Sequence, residues 1–186
     1  MKTKPTSLTP YVALLRGINV GGKNMLPMAD LAKMFVTARC TDVRTFIQSG
    51  NVIFNATPDL AGRIAEVISA QIARKFGCKI PVVLRSARQI EETAVNNPFI
   101  KAGAPEEMLH VMFLADLPKS DKVAQLDAKR SPPDEFIVRG QEIFLKLPNG
   151  AARTKLTNAY FDSKLATIST GRNWRTVLKL LELVKA

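Results

Sequence analysis

The chain has 186 residues, of which 46% are hydrophobic and 23% charged, a balance that supports a folded core and excludes a disordered polymer. Lys and Arg number 27 against 16 Asp and Glu, a net of +11 that draws anions such as nucleic acid, nucleotides or acidic partners. No apolar run approaches the ~20 residues that cross a bilayer, and the N-terminal run 11–15 is too short for a secretory core, so a soluble cytoplasmic protein without a membrane partner is expected.

Residues 1–10, with Pro5 and Pro10, read as a flexible arm. Residues 11–15 are an apolar strand, and a Gly-rich loop follows from Gly17 to Lys23. Pro27 suits the first turn of a helix, whose apolar side is Met28, Leu31, Met34 and Phe35. Residues 43–48 and 51–55 form a β-hairpin. Thr57 caps the next helix, Pro58 opens it, and Leu60, Ile64, Val67, Ile68, Ile72 and Phe76 form its stripe until Gly77 stops it. Residues 80–85 close a β-α-β-β-α-β unit, the ferredoxin-like pattern.

A linker with a helix over 87–95 spans residues 87–107, and a second ferredoxin-like half spans 108–186. Its predicted elements are a strand at 110–114, a helix at 121–129, a hairpin, a helix at 153–165 and a weak strand at 166–169. A C-terminal amphipathic helix capped by Asn173 ends the chain. The second hairpin repeats the first in sequence: Phe46-Ile47-x-x-Gly50-x-x-Ile53-Phe54 and Phe136-Ile137-x-x-Gly140-x-x-Ile143-Phe144 share one pattern. The expected fold is therefore α+β, a tandem duplication of ferredoxin-like halves over 11–86 and 108–186. Val52-Ile53-Phe54 and Ile143-Phe144-Leu145 are apolar at consecutive positions, so both faces of these strands are expected to be covered, which argues against an open base-stacking sheet.

The charge is uneven. Residues 1–50 carry a net of +5, residues 51–138 a net of zero and residues 139–186 a net of +6. Three motifs fall in the basic segments. Gly17-Ile18-Asn19-Val20-Gly21-Gly22-Lys23-Asn24 nearly matches a phosphate-binding loop, but Asn24 replaces the hydroxyl that holds Mg²⁺ and Pro27 would fall in the second helical turn. A metal-free anion nest of Arg16, Asn19, Gly21, Gly22 and Lys23 is one reading; a tight turn needing glycine for positive φ is the other. Arg153 and Lys155 stand at one predicted helix start, and Arg172, Asn173 and Arg175 at another. Cations there oppose the helix dipole by ~0.3–1 kcal/mol each, which a bound anion offsets. Equally, those side chains could face water or pair with acidic neighbours.

Catalytic machinery is sparse. His110, the single histidine, begins a strand and reads as structural, no metal-ligand spacing exists, and no cofactor is called for. Cys40 and Cys78 read as small buried hydrophobes.

Four segments carry a resemblance. They are Ala13-Leu14-Leu15-Arg16-Gly17-Ile18-Asn19-Val20-Gly21-Gly22-Lys23-Asn24, Ile47-Gln48-Ser49-Gly50-Asn51-Val52, Leu147-Pro148-Asn149-Gly150 and Arg172-Asn173-Trp174-Arg175-Thr176-Val177. The chain resembles, from Tyr11 onward, the bacterial family known as domain of unknown function 1697. The resemblance implies a cytoplasmic bacterial α+β protein of two ferredoxin-like halves, and implies no activity. One departure is that family members often carry a Gly-Arg-Ser-Lys-Leu run where this chain has Ala152-Arg153-Thr154-Lys155-Leu156. The leading functional expectation is a binding protein for an anionic ligand, a nucleic acid or a phosphorylated metabolite, held by the 16–24 loop and the helix starts at 153–155 and 172–176. An enzyme acting on a phosphorylated substrate through Lys23, Arg172 or Arg175, and a structural or assembly protein, are the alternatives.

Overall fold

The structure, a computed structural model, describes residues 7–186. The arm expected over residues 1–10 falls on residues 1–6 outside the described residues, and strand β1 already begins at Thr9. The fold is α+β, with two four-stranded antiparallel sheets. Contacts divide it into two compact units: residues 1–91 with Leu180–Ala186, and Glu92–Lys179.

In the first unit, β1 (Thr9–Leu15) pairs with β3 (Asn51–Ala56) on one edge and β4 (Val82–Ser86) on the other. With β2 (Thr41–Phe46) outermost, the sheet order is β2-β3-β1-β4. Helix α1 (Met28–Thr37) follows Pro27, and α2 (Pro58–Phe76) is set by its ends: Thr57 Oγ1 accepts the Leu60 N–H at 3.3 Å, and Gly77 at φ 70° turns the chain out. Both helices lay their apolar stripes on the sheet face carrying Ala13, Leu15, Val52 and Phe54.

In the second unit, β5 (Leu109–Leu114) is central in the order β6-β7-β5-β8. The hairpin is β6 (Glu135–Arg139) and β7 (Glu142–Lys146), and β8 (Ser169–Asn173) is the far edge. Helix α6 (Asn158–Leu165) packs Tyr160, Phe161 and Leu165 on the face carrying Met112, Leu114, Ile143 and Leu145. Helix α3 (Ala87–Val95) lies where the linker helix is expected, and α4 (Pro98–Lys101) adds a turn capped by the Asn97 side chain. Val52, Ile53, Phe54, Ile143, Phe144 and Leu145 are all buried to 2% exposure or less, so neither face of β3 or β7 is open to water.

Three expectations are corrected in the second unit. Helix α5 (Ser120–Ala124) stops well short of residue 129, because Asp127 leaves the helical path: its N–H goes to the Tyr160 hydroxyl at 2.8 Å and its carboxylate accepts the Lys129 N–H at 2.9 Å. Helix α6 starts at Asn158 rather than 153, because Thr157 Oγ1 accepts the Tyr160 N–H at 3.2 Å while Thr154 Oγ1 bonds the Leu156 N–H in a local turn. The last strand lies at Ser169–Asn173 rather than 166–169, since Ala166 is the left-handed end of α6 at φ 52°.

The repeated hairpin motif is out of frame with the pairing. Tyr11 opposes Phe54 while His110 opposes Leu145, so Phe54 corresponds to Leu145 and not to Phe144. Phe54 lies on the helix-covered face, and Phe144 on the opposite one. The hairpins differ as well: four residues separate the Phe46–Asn51 pair, and two separate Arg139–Glu142.

Gly50 anchors the first hairpin. Its φ is 78°, its carbonyl accepts the Leu15 N–H at 2.8 Å, and an added Cβ would lie 2.6 Å from Leu15 Cβ and 2.9 Å from Ile18 Cδ1. Gly22 has a similar φ of 73° and nothing within 4 Å. Urea denaturation should therefore show Gly50→Ala losing more than about 2 kcal/mol, overpacking added to left-handed strain, and Gly22→Ala losing about 1 kcal/mol. Equal losses would show that the contact with Leu15 does not constrain the turn.

Candidate functional site

Strand β8 has a gap at its centre. Ser169, Gly171 and Asn173 alternate onto one face of the sheet, and Thr170 and Arg172 onto the other. Gly171, with no side chain, leaves open space between its neighbours, and the nearest atom to a Cβ there is Met112 Cγ at 4.0 Å. A cavity of about 330 Å³ occupies this position, wholly within the second unit. Its floor is Gly171 and Met112, Leu145 and Leu156 give it apolar walls, and Thr154, Thr157, Asn158, His110 and Asn173 line it with polar groups. A smaller hollow of about 200 Å³ adjoins it, sharing His110 and Asn173 and adding Glu106, Glu107, Trp174 and Arg175.

Two helix N-termini meet this surface. Thr157, the cap of α6, lines the larger cavity. Asn173 ends β8 and also caps α7 (Trp174–Lys185), its Oδ1 accepting the Thr176 N–H at 2.8 Å. Unbonded N–H groups of a first helical turn carry partial positive charge, and a shared concavity faces both ends. The loop between β7 and α6 is braced from outside. Arg130 stacks 4.1 Å above the Tyr160 ring and donates through Nε to the Lys155 carbonyl at 3.0 Å, and the Lys155 N–H donates to Ser131 Oγ.

His110 sits where the cavities join, paired across the strands with Asn173. Burial lowers its pKa below the usual 6.5, the Met108 backbone acting weakly the other way, and among the described residues its buried Nδ1 has no partner in good hydrogen-bond geometry. The imidazole is thus neutral at pH 7.

The sequence candidates divide between the units. Arg16, Asn19, Gly21, Gly22 and Lys23 belong to the first. There Gly21 and Gly22, both at positive φ, make a two-residue turn closed by the Lys23 N–H to the Val20 carbonyl at 3.0 Å. Asn19 is committed to the loop itself: its amide donates to the Leu26 and Gln48 carbonyls at 3.0 and 2.9 Å, and its Oδ1 accepts the Leu26 N–H. Lys23 is exposed on this turn.

In the second unit, Arg153 and Lys155 stand exposed on either side of Thr154, in a loop and not at a helix start. Arg172 is also corrected. It lies inside β8 at 7% exposure, facing away from Gly171 and the cavity, with Nη1 donating to Thr170 Oγ1 at 2.9 Å and the Gly171 carbonyl at 2.7 Å. Burial lowers its pKa to about 10, so it stays cationic at pH 7. Arg175, exposed in the first turn of α7, and Asn173 are the candidates at the hollows. Sequence reasoning missed Asn158 and Gly171 and read His110 as structural only. A signal for the true start of α6 existed: Thr157 stands directly before the buried pair Tyr160-Phe161 at cap spacing. Among the described residues no cluster of His, Cys, Asp and Glu could hold a metal, and no helix is long and apolar enough to cross a membrane.

A depressed histidine pKa fixes a sign for stability. Below about pH 6.5 the unfolded chain takes up a proton that the folded state resists, so His110 lowers stability as pH falls. The drop in urea midpoint from pH 7 to pH 5 should therefore be smaller in His110→Gln than in the parent chain; an unchanged drop would show that the imidazole is not held neutral.

A solved structure of a conserved bacterial protein from Streptococcus pneumoniae is similar in fold, with a TM-score of 0.76 at 23% identity over 97% of this chain and 100% of that one. No curated protein matches the chain. A family model described as "Protein of unknown function (DUF1697)" matches residues 8–144, so the match runs from β1 into the middle of β7 and ends before α6, β8 and α7. On that match the chain belongs to the DUF1697 family.

Proposed function

We propose that the protein binds a small anionic ligand, a phosphorylated metabolite, in the cavity over Gly171. One observation carries the reading: two capped helix N-termini, those of α6 and α7, face adjoining hollows that share His110 and Asn173. A helix end contributes ~0.3–1 kcal/mol to anion binding when exposed and up to ~2 kcal/mol when partly buried. Arg175 in the first turn of α7 opposes that dipole in the empty protein, and a bound anion relieves the opposition. Exposed Arg153 and Lys155 flank the cavity loop and favour approach of an anion. Arg175 lines the smaller hollow beside Glu106 and Glu107, and Asn173 belongs to both hollows, so the anionic group lies at Asn173, where the two meet.

The volume of about 330 Å³ favours a small molecule over nucleic acid, since pockets of about 300–1,000 Å³ are small-molecule sites. A second reading, an enzyme acting on a phosphorylated small molecule, is favoured by one observation: a neutral imidazole at the cavity is in the state a general base needs. We also infer that the two halves are a tandem duplication of the ferredoxin-like βαββαβ unit. The matching sheet orders β2-β3-β1-β4 and β6-β7-β5-β8 support this, as does the placement of Arg85 opposite Val12 and Arg172 opposite Val111, both arginines buried. A cytoplasmic location accords with two free cysteines, Cys40 and Cys78.

Titrating phenyl phosphate into ¹⁵N-labelled protein should give saturable shifts at the amides of Thr157, Asn158 and Trp174. Arg175→Ala should weaken the binding about fivefold, the size of one charge-assisted contact of ~1 kcal/mol. Absence of saturable shifts at these amides at low salt would overturn the proposal.

A further inference from the structure

The polarity of the cavity is fixed by proton bookkeeping. The Asp162 side chain is a carboxylate, a group with only acceptors to offer. Its Oδ1 lies 2.6 Å from Ser169 Oγ and 2.9 Å from the Ser169 N–H, so the single hydroxyl proton of the fully buried Ser169 is committed to Asp162. Ser169 Oγ then meets any further partner as an acceptor. The partner is the Asn158 side-chain amide, with Nδ2 at 2.8 Å, and the same nitrogen approaches Met112 Sδ at 3.9 Å. Both Asn158 amide hydrogens are thereby engaged, and reversing the group would place its oxygen against the Ser169 lone pairs. Among the described residues, Asn158 Oδ1 has no hydrogen-bond donor. Its residue lines the cavity, so this oxygen is what the wall there offers a ligand.

The other end has the opposite polarity. Asn173 Oδ1 is held by the Thr176 N–H at 2.8 Å as the cap of α7, which leaves Nδ2, with no acceptor among the described residues, as the donor it offers. Ser169, the anchor of Asn158, and Asn173 are four residues apart on β8, about 13 Å along an extended strand, with bare Gly171 between them. The cavity thus has a donor pole at Asn173 and the α7 N-terminus, an apolar middle over Gly171, Met112 and Leu145, and an acceptor pole at Asn158.

We infer that Asn158 is a specificity-determining residue: the ligand is an elongated phosphate ester whose end remote from the phosphate carries an N–H or O–H donor, received by Asn158 Oδ1. The inference rests on the proposed anion site, because that site sets which way the ligand lies. Ser169 and Asp162 touch no ligand; they are positioning residues that hold the Asn158 amide in one orientation.

The test compares 4-aminophenyl phosphate, whose ring amine is a neutral donor at pH 7, with 4-methylphenyl phosphate, which has the same shape and no donor. Dissociation constants are read from amide shifts in the folded chain. The amino probe should bind about fivefold tighter, the size of one hydrogen bond worth ~1 kcal/mol net. In Asn158→Leu the two probes should bind equally. In Ser169→Ala, where the amide can rotate, the preference should narrow while the methyl probe keeps its affinity. Gly171→Leu, which fills the floor from a position with ordinary φ, should abolish binding of both. Equal binding of the two probes to the parent chain would overturn the role of Asn158 and leave the anion site standing. Failure of both probes to bind would remove the anion site and this inference with it.

Discussion

The central strand of each sheet is hydrogen-bonded along both edges while its side chains are stripped of water on both faces. Val12, Leu14, Val111 and Phe113 on one face are as buried as Ala13, Leu15 and Leu114 on the other. A strand in that position has no solvent to satisfy its backbone, so each N–H and C=O must find a neighbouring strand. For β5 the neighbours are β7 and β8. This obligation makes a strand of Ser169-Thr170-Gly171-Arg172-Asn173, a sequence with little intrinsic β preference. The cavity exists because a glycine was recruited into that strand.

Legibility of the chain followed from how local each determinant is. The ends of α2 were readable because Thr57, Pro58 and Gly77 act within one turn of themselves. Helix α3 was readable because Asn97-Pro98 limits it. The start of α6 was misplaced by five residues because Thr154 and Lys155 bond to a neighbouring turn and to Ser131, partners that periodicity does not reveal. Strand β8 was misplaced because β5 specifies it, not its own composition.

The same distinction separates the parts of the candidate site. The basic side chains were visible as charge, and Asn173 as a cap. Arg172 looked like its neighbours in sequence, but strand alternation turns it to the face away from Gly171. The Asn158 amide gains its meaning only through Ser169 and Asp162, which lie 11 and 4 positions along the chain from it and reach it by folding. No inspection of residue types could supply the direction of that amide, because the direction is a property of the whole proton chain.

The one-residue offset between Phe54 and Phe144 has a practical consequence for protein engineering. A chimaera splicing one half onto the other along the matching nonapeptides would turn the grafted strand inside out, sending helix-facing side chains to the far side of the sheet. The safe seams are the arginines opposite Val12 and Val111, Arg85 and Arg172. Cut there, the parts keep their facing.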